Sequence, residues 1–430
     1  MQRSPKTAIY SELRLADPVA MISEPFDQDV LDLDSLRPEF TDDPYSVLGE
    51  LRQVTPARQV TVMGLRAWLV TRYEDVRKAF ADPAISNDPH HANTDAQQWP
   101  QIAAALHGPL ARSMAVVDGP DHGRLKSLLS KEFTPRRVEA LRPRIEQICD
   151  DLLARSWSTG RADLLHDFAA LVPLTVISEL FGVPEEDRAA FRSWTLVVGG
   201  IDESSVGQQP QAFANVGTYL NRLIADKRAA SPPGDDLLSA LVAVRDGTDR
   251  LSDTELLGTA TVLLLAGHAT TVNLITNAVL GLLRHPDQLA ALRADPSRVA
   301  AVVEEALRFD GPVVNPNMRY TTQPVRFGDV EIPANEVLLL SIASANRDPA
   351  LCEAPDVFDI HRPDSSGHLS FGHGIHYCIG AALARLEAQV AIPKLLAHCP
   401  DLAVDETEPL RWRIGIPTRG LRNLPVTWRT

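Results

Sequence analysis

The ten residues Phe371-Gly372-His373-Gly374-Ile375-His376-Tyr377-Cys378-Ile379-Gly380 are the most informative stretch of the chain. A glycine-rich loop ends in Cys378, and good helix formers follow at once from Ala381 to Glu387. A cysteine at a helix N-terminus has its thiolate stabilised by the helix dipole and by free backbone N–H groups. Gly374 and Gly380 would leave room for a flat, bulky group to approach the backbone. This pattern predicts a chemically active cysteine.

The other three cysteines carry no comparable signal. Cys149, Cys352 and Cys399 are scattered, and no pair has C-x-x-C or zinc-like spacing. We interpret them as small buried hydrophobic residues, which is the usual role of a free cysteine. A single thiolate in a dry loop that faces a planar cofactor is the haem-thiolate arrangement, in which electron donation to iron favours cleavage of the O–O bond. Cys378 is therefore the candidate iron ligand.

The composition excludes several classes of protein. The chain has 430 residues, of which 44% are hydrophobic and 23% charged, as is ordinary for a soluble globular protein. A formal net charge of −14 argues against nucleic-acid binding, which needs a dominant basic face. The first thirty residues lack the pattern of a signal peptide, and the longest apolar stretch, at 259–267, is interrupted well short of the ~18 residues of a membrane span. We expect a soluble, cytoplasmic protein.

Amphipathic helix dominates the rest of the chain. Apolar residues recur at helical spacing in 136–154, 253–284, 297–309 and 380–397. Short alternating segments indicate strands at 58–63, 67–70, 325–332 and 336–340, and the breaks at 231–234 and 311–316 are typical of loops. The sequence therefore predicts a mainly α fold with a small β-rich lobe, in one compact unit.

The segment 253–284 has well-marked ends and an irregular centre. Ser252 and Glu255 form a capping box at its start, and Pro286 cannot continue it. The centre, Ala266-Gly267-His268-Ala269-Thr270-Thr271, places a glycine and two hydroxyls in an apolar run. Because alanine would stabilise a buried helix better than Gly267 does, the pattern indicates that space and a hydroxyl are needed there.

Together these motifs resemble the cytochrome P-450 family. The fixed positions of its haem-binding signature, F-x-x-G-x-[HR]-x-C-x-G, are all met, by Phe371, Gly374, His376, Cys378 and Gly380. Further segments are similar to family motifs in the family's order: 305–308 (E-x-x-R of the K helix), 346–349 and 355–358 with Arg362, and 266–271 (A-G-x-[DE]-T-T of the I helix). The likeness covers residues 26–430, leaves 1–25 as an N-terminal extension, and is closest to soluble bacterial members that oxidise macrolides and similar metabolites.

The resemblance implies a haem-binding unit that holds haem b (iron protoporphyrin IX) through Cys378. Phe371 and Gly380 would contact the haem. The residues at the family's propionate-binding positions are His122, Lys126, Arg319, His368 and His376. Lys126 stands where relatives usually carry arginine, so a point charge replaces a bidentate contact. Glu305, Arg308 and Arg362 would form a buried ion-pair network that supports the cysteine loop.

The part of the predicted site that would face O2, here called the oxygen side, departs from the family pattern. The resemblance assigns a proton relay to an acid and the threonine after it, beside Gly267; here Ala269 replaces the acid and Thr270 is kept. We interpret His268 as a packing residue. The missing carboxylate leaves two reactions open: O2-dependent hydroxylation or epoxidation, and peroxide-driven oxygenation or oxidative coupling. A haem sensor without turnover is disfavoured by Thr270 and by the apolar pocket.

The resemblance also implies a substrate pocket built from four segments. The residues expected to line it are Leu110, Val116, Leu263, Val313, Val314, Asn315, Ile416 and Thr418. Most are apolar, with Asn315 and Thr418 as polar handles, which favours a medium-to-large hydrophobic substrate such as a macrolide. The segment 199–210, rich in Gly, Pro and Gln, is typical of a mobile lid between two helices.

Electrons must come from another protein. The chain has no G-x-G-x-x-G dinucleotide motif and no spare length for a flavin domain. Basic residues cluster near the expected thiolate side: Arg124, Lys126, Lys131, Arg136 and Arg137. Such a patch could steer an acidic ferredoxin that is reduced by its own reductase, and a solvated helix face is an equally good interpretation.

Overall fold

The computed structural model describes residues 30–36, 39–201, 207–232, 234–243, 245–246, 249–363 and 367–429. The predicted N-terminal extension and residues 202–206 of the predicted lid lie outside these ranges. The helices are α1 Glu39–Asp42, α2 Pro44–Val54, α3 Tyr73–Ala79, α4 Thr94–Gln97, α5 Pro100–His107, α6 Gly119–Ser130, α7 Pro135–Glu139, α8 Arg142–Ser156, α9 Leu171–Leu180, α10 Arg188–Val198, α11 Gln209–Ala229, α12 Leu237–Ala243, α13 Asp253–Arg284, α14 Pro286–Ala294, α15 Val299–Asp310, α16 Ile342–Ala345 and α17 Ala381–His398.

The strands are short. They are β1 Leu31–Asp32, β2 Ala57–Val62, β3 Leu65–Val70, β4 Ile85–Ser86, β5 Arg161–Asp163, β6 Arg245–Asp246, β7 Asp249–Arg250, β8 Arg319–Thr321, β9 Val325–Phe327, β10 Val330–Ile332, β11 Val337–Leu340, β12 Ala403–Val404, β13 Trp412–Ile414, β14 Arg419–Leu421 and β15 Pro425–Thr427. The mainly α fold with a small β-rich part is confirmed.

The largest sheet joins distant parts of the chain in the order β1-β2-β3-β11-β8-β4. β2 and β3 form an antiparallel hairpin in which Ala57 pairs with Val70. β3 then pairs in parallel with β11, with Trp68 opposite Leu338. A parallel pair requires a crossover connection, and here most of the helical body lies between the two strands in sequence.

Helix α13 runs through the middle of the protein. Its bounds equal the predicted 253–284, and the capping box is present: Glu255 N–H donates to Ser252 Oγ (3.3 Å) and Ser252 N–H to the Glu255 carboxylate (2.8 Å). Of the described helices, it alone is long and apolar enough to cross a membrane, so the interrupted apolar stretch underestimated its apolar length. Since 72% of that apolar window is buried inside the protein, α13 has the character of a core helix.

Two predicted elements are each divided in the structure. The helix predicted at 136–154 is two helices, α7 and α8, because Pro143 lies in the first turn of α8 and has no N–H with which to continue a helix from α7. The strand predicted at 325–332 is a hairpin, β9 and β10, in which Phe327 pairs with Val330. Gly328, with φ of +57°, makes its turn.

The core contains one carboxyl group without an ionic partner among the described residues. Glu387 of α17 is 2% exposed, and its Oε2 has no hydrogen-bond partner there. Burial raises the pKa of Glu387 to about 8. On the facing helix α8, burial and then Glu387 raise the pKa of Cys149 to about 12. Glu387 is therefore protonated inside the folded protein at neutral pH.

We predict that replacing this carboxyl group makes stability less sensitive to a rise in pH. The folded pKa lies above the ordinary 4.5, so the folded state binds the extra proton. Stability is then lost as pH rises from about 4.5 to about 8, by on the order of a few kcal/mol in total. Glu387→Gln should gain melting temperature relative to wild type between about pH 5 and about pH 8. Glu406→Gln, at an exposed position, is the control. The prediction would be refuted if the melting temperatures of wild type and Glu387→Gln changed in parallel with pH.

Candidate active site

The loop that carries Cys378 is closed by its own backbone. Cys378 N–H donates to the Phe371 carbonyl at 2.9 Å, and α17 begins at Ala381. Ala381 N–H donates to the Cys378 carbonyl at 3.4 Å, and the N–H groups of Gly380 and Ala381 act to lower the pKa of the thiol. The predicted position of Cys378 immediately before a helix is confirmed.

The environment of Cys378 is enclosed but accessible. Burial raises the pKa of its thiol, while the two N–H groups and the charges of Arg385 and Lys126 act in the opposite direction. The side chain nevertheless has exposed surface. A group that is surrounded by protein and still accessible faces an internal opening.

The two loop glycines have different roles. Gly374 has φ of +73°, and a Cβ there would lie 2.8 Å from the Phe80 carbonyl oxygen. Packing against the end of α3 therefore requires this glycine, and its expected role in the approach of a flat group stays a prediction. A Cβ on Gly380 would lie 3.9 Å from Cys378 Sγ, which is ordinary contact, so its predicted role beside the cofactor stays a prediction.

The middle of α13 is also exposed. Ala266 and Gly267 are exposed although His268 and Ala269, which follow them, are buried. A Cβ on Gly267 would meet no atom closer than Ile177 Cδ1 at 4.0 Å. Ile379, next to the cysteine, packs in the same apolar cluster as Leu263 of α13. The cysteine loop thus shares an apolar cluster with the turn of α13 that precedes the exposed Gly267.

Four of the five predicted propionate residues lie close together. The rings of His122 and His376 have centroids 4.0 Å apart. Arg319 and Lys126 are near enough for their charges to lower the pKa of both histidines. Burial, followed by the nearby charges, brings the pKa of His122 to about 4.

This cluster fits an anionic group. Arg319 is 4% exposed, and burial lowers its pKa to about 10. It makes a 3.4 Å hydrogen bond to the Asn317 carbonyl and lies 5.4 Å from the Phe80 ring, and the charge of Asp118 acts against the lowering of its pKa. His122 Nε2 is buried without a hydrogen-bond partner among the described residues. A buried cation and an unsatisfied ring nitrogen gain from a carboxylate, and haem propionates beside a thiolate meet that need.

His376, which is also predicted to bind a propionate, already has a protein partner. His376 Nε2 lies 2.7 Å from Asp118 Oδ1, and Asp118 Oδ2 accepts from Ser86 Oγ (2.5 Å) and Asn87 N–H (2.7 Å). Burial acts to raise the pKa of Asp118, but the hydrogen bonds from His376, Ser86 and Asn87 lower it well below its usual range. The sequence analysis missed Asp118, which its position as N-cap before Gly-Pro could have indicated.

Lys126 contacts the cysteine loop directly. Its ammonium group donates to the carbonyls of Ile375 and Tyr377, the latter at 3.2 Å. Burial lowers its pKa, and Cys378 acts in the opposite direction. Lys126 therefore holds backbone carbonyls beside the cysteine, a role that a point charge with three donors can fill.

His368 lies apart from the other four residues. Its Nε2 is 3.2 Å from Glu304 Oε2, and its Nδ1 accepts from Ser370 N–H at 3.2 Å. Glu304 also pairs with Arg385 through two hydrogen bonds of 2.6 and 2.8 Å. Arg385 in turn lies over the Phe371 ring at 4.4 Å. Because both ring nitrogens of His368 are engaged, its contacts give no support to a propionate role.

The Glu305 network is present and buried. Glu305 is 0% and Arg308 2% exposed, and two hydrogen bonds of 2.7 and 2.8 Å join them. Arg362 Nε lies 3.6 Å from Glu305. The Arg308 guanidinium donates further to the carbonyls of Asn346, Pro355 and Val357 at 3.1, 2.6 and 2.9 Å.

A second set of bonds ties this network to the cysteine loop. Asn346 Nδ2 donates to Ser370 Oγ (2.8 Å), and Asn346 Oδ1 accepts from Leu369 N–H (2.7 Å). Ser370 Oγ donates to the Leu307 carbonyl at 2.6 Å. The residues directly before Phe371 are thereby fixed to the end of α15.

The oxygen-side residues differ in burial. Thr270 is half-buried, and its hydroxyl donates to the Ala266 carbonyl at 2.7 Å. Ala269 is 8% exposed and packs in the main apolar cluster, so a carboxylate there would be desolvated. His268 is fully buried, with Nδ1 2.8 Å from the Leu264 carbonyl, and burial lowers its pKa to about 4. The interpretation of His268 as a packing residue agrees with this geometry.

The predicted pocket residues fall into two groups. Leu110, Val116, Val313 and Thr418 are half-buried, and Val313 and Thr418 form a β-bridge. The others, Leu263, Val314, Asn315 and Ile416, are 8% exposed or less. Asn315 Nδ2 donates to the Ile416 carbonyl at 3.0 Å, whereas its Oδ1 is buried without a hydrogen-bond partner among the described residues. Half-buried side chains are the ones able to meet a substrate directly.

Comparisons with known proteins agree with this geometry. The family model for cytochrome P450 matches residues 201–412. Cytochrome P450 107B1 of Saccharopolyspora erythraea is 49% identical, over 93% of this chain and 98% of the relative. The chain belongs to the cytochrome P450 family. The 6-deoxyerythronolide B hydroxylase of the same organism is 40% identical, over 89% of this chain and 96% of the relative. The solved structure of tirandamycin C-bound P450 monooxygenase TamI has a TM-score of 0.84 and 41% identity, over 93% of this chain and 100% of that one.

Membership decides several expectations at once. This cytochrome P450 is an oxidoreductase that binds haem b through a cysteine thiolate and uses O2 and redox partners. It acts as a monooxygenase on small hydrophobic substrates. Peroxide-driven oxygenation or oxidative coupling, the alternative raised by Ala269, is not favoured, because the relatives are hydroxylases and epoxidases.

We predict that Glu305→Ala gives little folded, haem-loaded protein. The substitution leaves Arg308 buried without its partner, which costs about 3–5 kcal/mol. Haem content and melting temperature of the purified protein measure the effect. Glu331→Ala is the matched control, because Glu331 forms a 2.6 Å ion pair with Arg326 but is 60% exposed. A stable Glu305→Ala holoprotein that is merely slower would assign Glu305 to catalysis instead.

Proposed function

We propose that Cys378 is the iron ligand of a monooxygenase that inserts one oxygen atom into a bulky hydrophobic metabolite, by hydroxylation or epoxidation. The observation that carries this proposal is the accessible Cys378, whose neighbour Ile379 packs in the same apolar cluster as Leu263, one turn before the exposed Gly267 of an otherwise buried helix. His122 and Arg319 would hold the propionates, with His376, whose Nε2 is held by Asp118, beside them, and Phe371 and Gly380 would adjoin the haem. Bound there, haem b with a thiolate ligand supplies O–O bond cleavage and oxygen insertion.

Thr270 is proposed to position the proton on the oxygen side. Its hydroxyl donates a hydrogen bond to the Ala266 carbonyl, so its oxygen can still accept a hydrogen bond from a proton donor. Because Ala269 offers no carboxylate, that donor is an ordered water or a hydroxyl of the substrate within hydrogen-bond reach. Gly267 leaves the space beside this hydroxyl open.

The substrate is proposed to be a secondary metabolite of macrolide size. The half-buried wall residues Leu110, Val116 and Val313 are apolar, and Thr418 is the polar group among them. Such a wall binds through area and offers few hydrogen bonds. The names of two relatives, a 6-deoxyerythronolide B hydroxylase and a tirandamycin C-bound monooxygenase, support this choice.

We further infer a ferredoxin-type electron donor with its reductase, in the cytoplasm. The basic patch predicted for this donor carries less free charge than the sequence suggests. Arg124 pairs with Glu255 and Arg137 with Glu132, and Lys126 is bound to loop carbonyls. Docking through this surface would thus depend on apolar contact as well as charge, and Ile375 and Tyr377, 56% and 41% exposed, supply it.

The ligand assignment is tested by the absorption spectrum of the reduced protein with carbon monoxide. Wild type should give the band of a thiolate-ligated haem, and Cys378→Ser should lose it, because a serine hydroxyl does not supply the same electron donation. Cys399→Ser is the control, since Cys399 is fully buried elsewhere in the core. The histidine-type band in well-folded wild type, or an unchanged band in Cys378→Ser, would contradict the assignment.

The role of Thr270 is tested by coupling. With 6-deoxyerythronolide B as probe substrate and labelled O2, product and hydrogen peroxide are measured together against reductant consumed. Thr270→Ala should shift consumption from labelled product to peroxide. Thr271→Ala is the matched control, because Thr271 makes a similar bond to the Gly267 carbonyl (3.2 Å) but is 2% exposed. Equal coupling in the two variants would remove Thr270 from the proton path, and unlabelled product would refute monooxygenation.

A further inference from the structure

A second buried ion pair lies beside the predicted pocket. Asp310 ends α15 and Arg419 begins β14, and Arg419 NH1 donates to Asp310 Oδ1 at 2.6 Å. The Arg419 side chain is 3% exposed and the Asp310 side chain 19%. Arg419 also stacks on the Trp412 ring at 3.5 Å, and its other nitrogen donates to the Asp42 carbonyl at 2.8 Å.

The pair is continuous with the pocket wall. After Asp310 and before Arg419 the two chain segments run side by side. Arg419 N–H donates to the Pro312 carbonyl, and Val314 N–H donates to the Pro417 carbonyl, each at 3.0 Å. Val313 and Thr418, the half-buried wall residues, pair between these two bonds. The contact between Asp310 and Arg419 thus lies at one end of the paired segments that carry Val313 and Thr418.

Tyr45 of α2 completes the arrangement from the N-terminal part of the chain. Its hydroxyl donates to Asp310 Oδ1 at 2.6 Å, the same oxygen that accepts from Arg419. Its ring lies 3.8 Å from the Arg347 guanidinium, whose other face lies 3.7 Å from the Phe309 ring. Two donors on one carboxylate oxygen hold the carboxylate in one orientation, because rotation would break both bonds.

We propose that Tyr45, Asp310 and Arg419 are positioning residues that set the distance between the two sides of the substrate-pocket wall at Val313 and Thr418. The inference rests on the proposed function, because it takes these two residues as wall residues. It assigns a role in selectivity to Tyr45, which lies on a helix remote in sequence from every predicted pocket segment. This spacing would therefore influence which carbon atom of a bulky substrate is oxidised.

The experiment uses Tyr45→Phe, which removes the hydroxyl and keeps the ring on Arg347. Two azoles probe the haem-loaded protein by absorption titration: imidazole, which is too small to reach the wall, and clotrimazole, whose triphenylmethyl body fills a large pocket. The ratio of their dissociation constants should change by roughly two- to thirtyfold, the range produced by substitutions that do not touch the ligand. The imidazole constant alone should stay the same. Tyr73→Phe is the matched control, because its hydroxyl donates to the Gly367 carbonyl at 2.9 Å, away from the wall.

A second variant covers a failure of Tyr45→Phe to fold. Arg419→Lys keeps the charge but cannot hold Asp310 and the Asp42 carbonyl at once, so it should change the same ratio. If both variants keep the wild-type ratio, or lower only the melting temperature, the positioning role is refuted. Failure of the proposed pocket has another signature: clotrimazole would bind wild type no more tightly than imidazole. With a substrate that wild type oxidises, an unchanged product distribution in Tyr45→Phe would also refute the inference.

Discussion

The buried ion pair between Glu305 and Arg308 is the interaction on which the rest of the structure depends. Two charges that are almost wholly removed from water are tolerated only when their remaining hydrogen-bonding capacity is used. Here Arg308 donates to three backbone carbonyls besides Glu305, and Glu305 also accepts from Asp359 N–H at 2.8 Å. The pair therefore fixes the position of residues 346–359, which form little regular secondary structure of their own. Asn346 is in turn hydrogen-bonded to Ser370, which precedes the cysteine loop.

The charges around the cysteine loop are divided by function. Towards α15, Glu304, His368 and Arg385 satisfy one another, and that side is internally balanced. Towards α6, Arg319 is buried with only weak contacts among the described residues, and His122 Nε2 has none. The Asp118 carboxylate offsets part of the charge of Arg319, and the positive charge that remains in this low-dielectric interior favours an anionic ligand. The same physical rule thus makes one side a support and the other a binding surface.

Helix α13 combines two opposing requirements. It is the longest buried element of the described chain, and most of its surface must pack. At Ala266 and Gly267 it gives up side-chain volume, and at Gly267 also helix propensity, while the half-buried Thr270 bonds its hydroxyl back to the Ala266 carbonyl. Such a local departure from good helix composition is expected where function needs space. Ala269, by contrast, packs in the core cluster, so this position contributes apolar packing where the family pattern has an acid.

Much of the fold could be predicted from local pattern. The bounds of α13 follow from its capping box and Pro286, and the helix at 380–397 follows from its apolar spacing, because these signals are contained within one turn or one element. The division of 136–154 at Pro143 was available in the sequence but was outweighed by the longer periodicity. The parallel pairing of β3 with β11 was not predictable, because nothing near either strand specifies so distant a partner.

The site shows the same division more sharply. Sequence by itself determined that Cys378 stands before a helix, that Glu305 and Arg308 share a helix face, and that Ala269 lacks an acid, since each is a matter of residue type and short spacing. Tertiary structure alone decided that Asp118 holds His376, that Glu304 holds His368, and that Tyr45 meets Asp310 and Arg419. These contacts join residues that are 64 to 265 positions apart in sequence, with Asp118 and His376 separated by 258. Only packing brings such groups together, because the free energy of a buried hydrogen bond or ion pair depends on the distance and burial of both partners, and neither quantity is encoded at a single position.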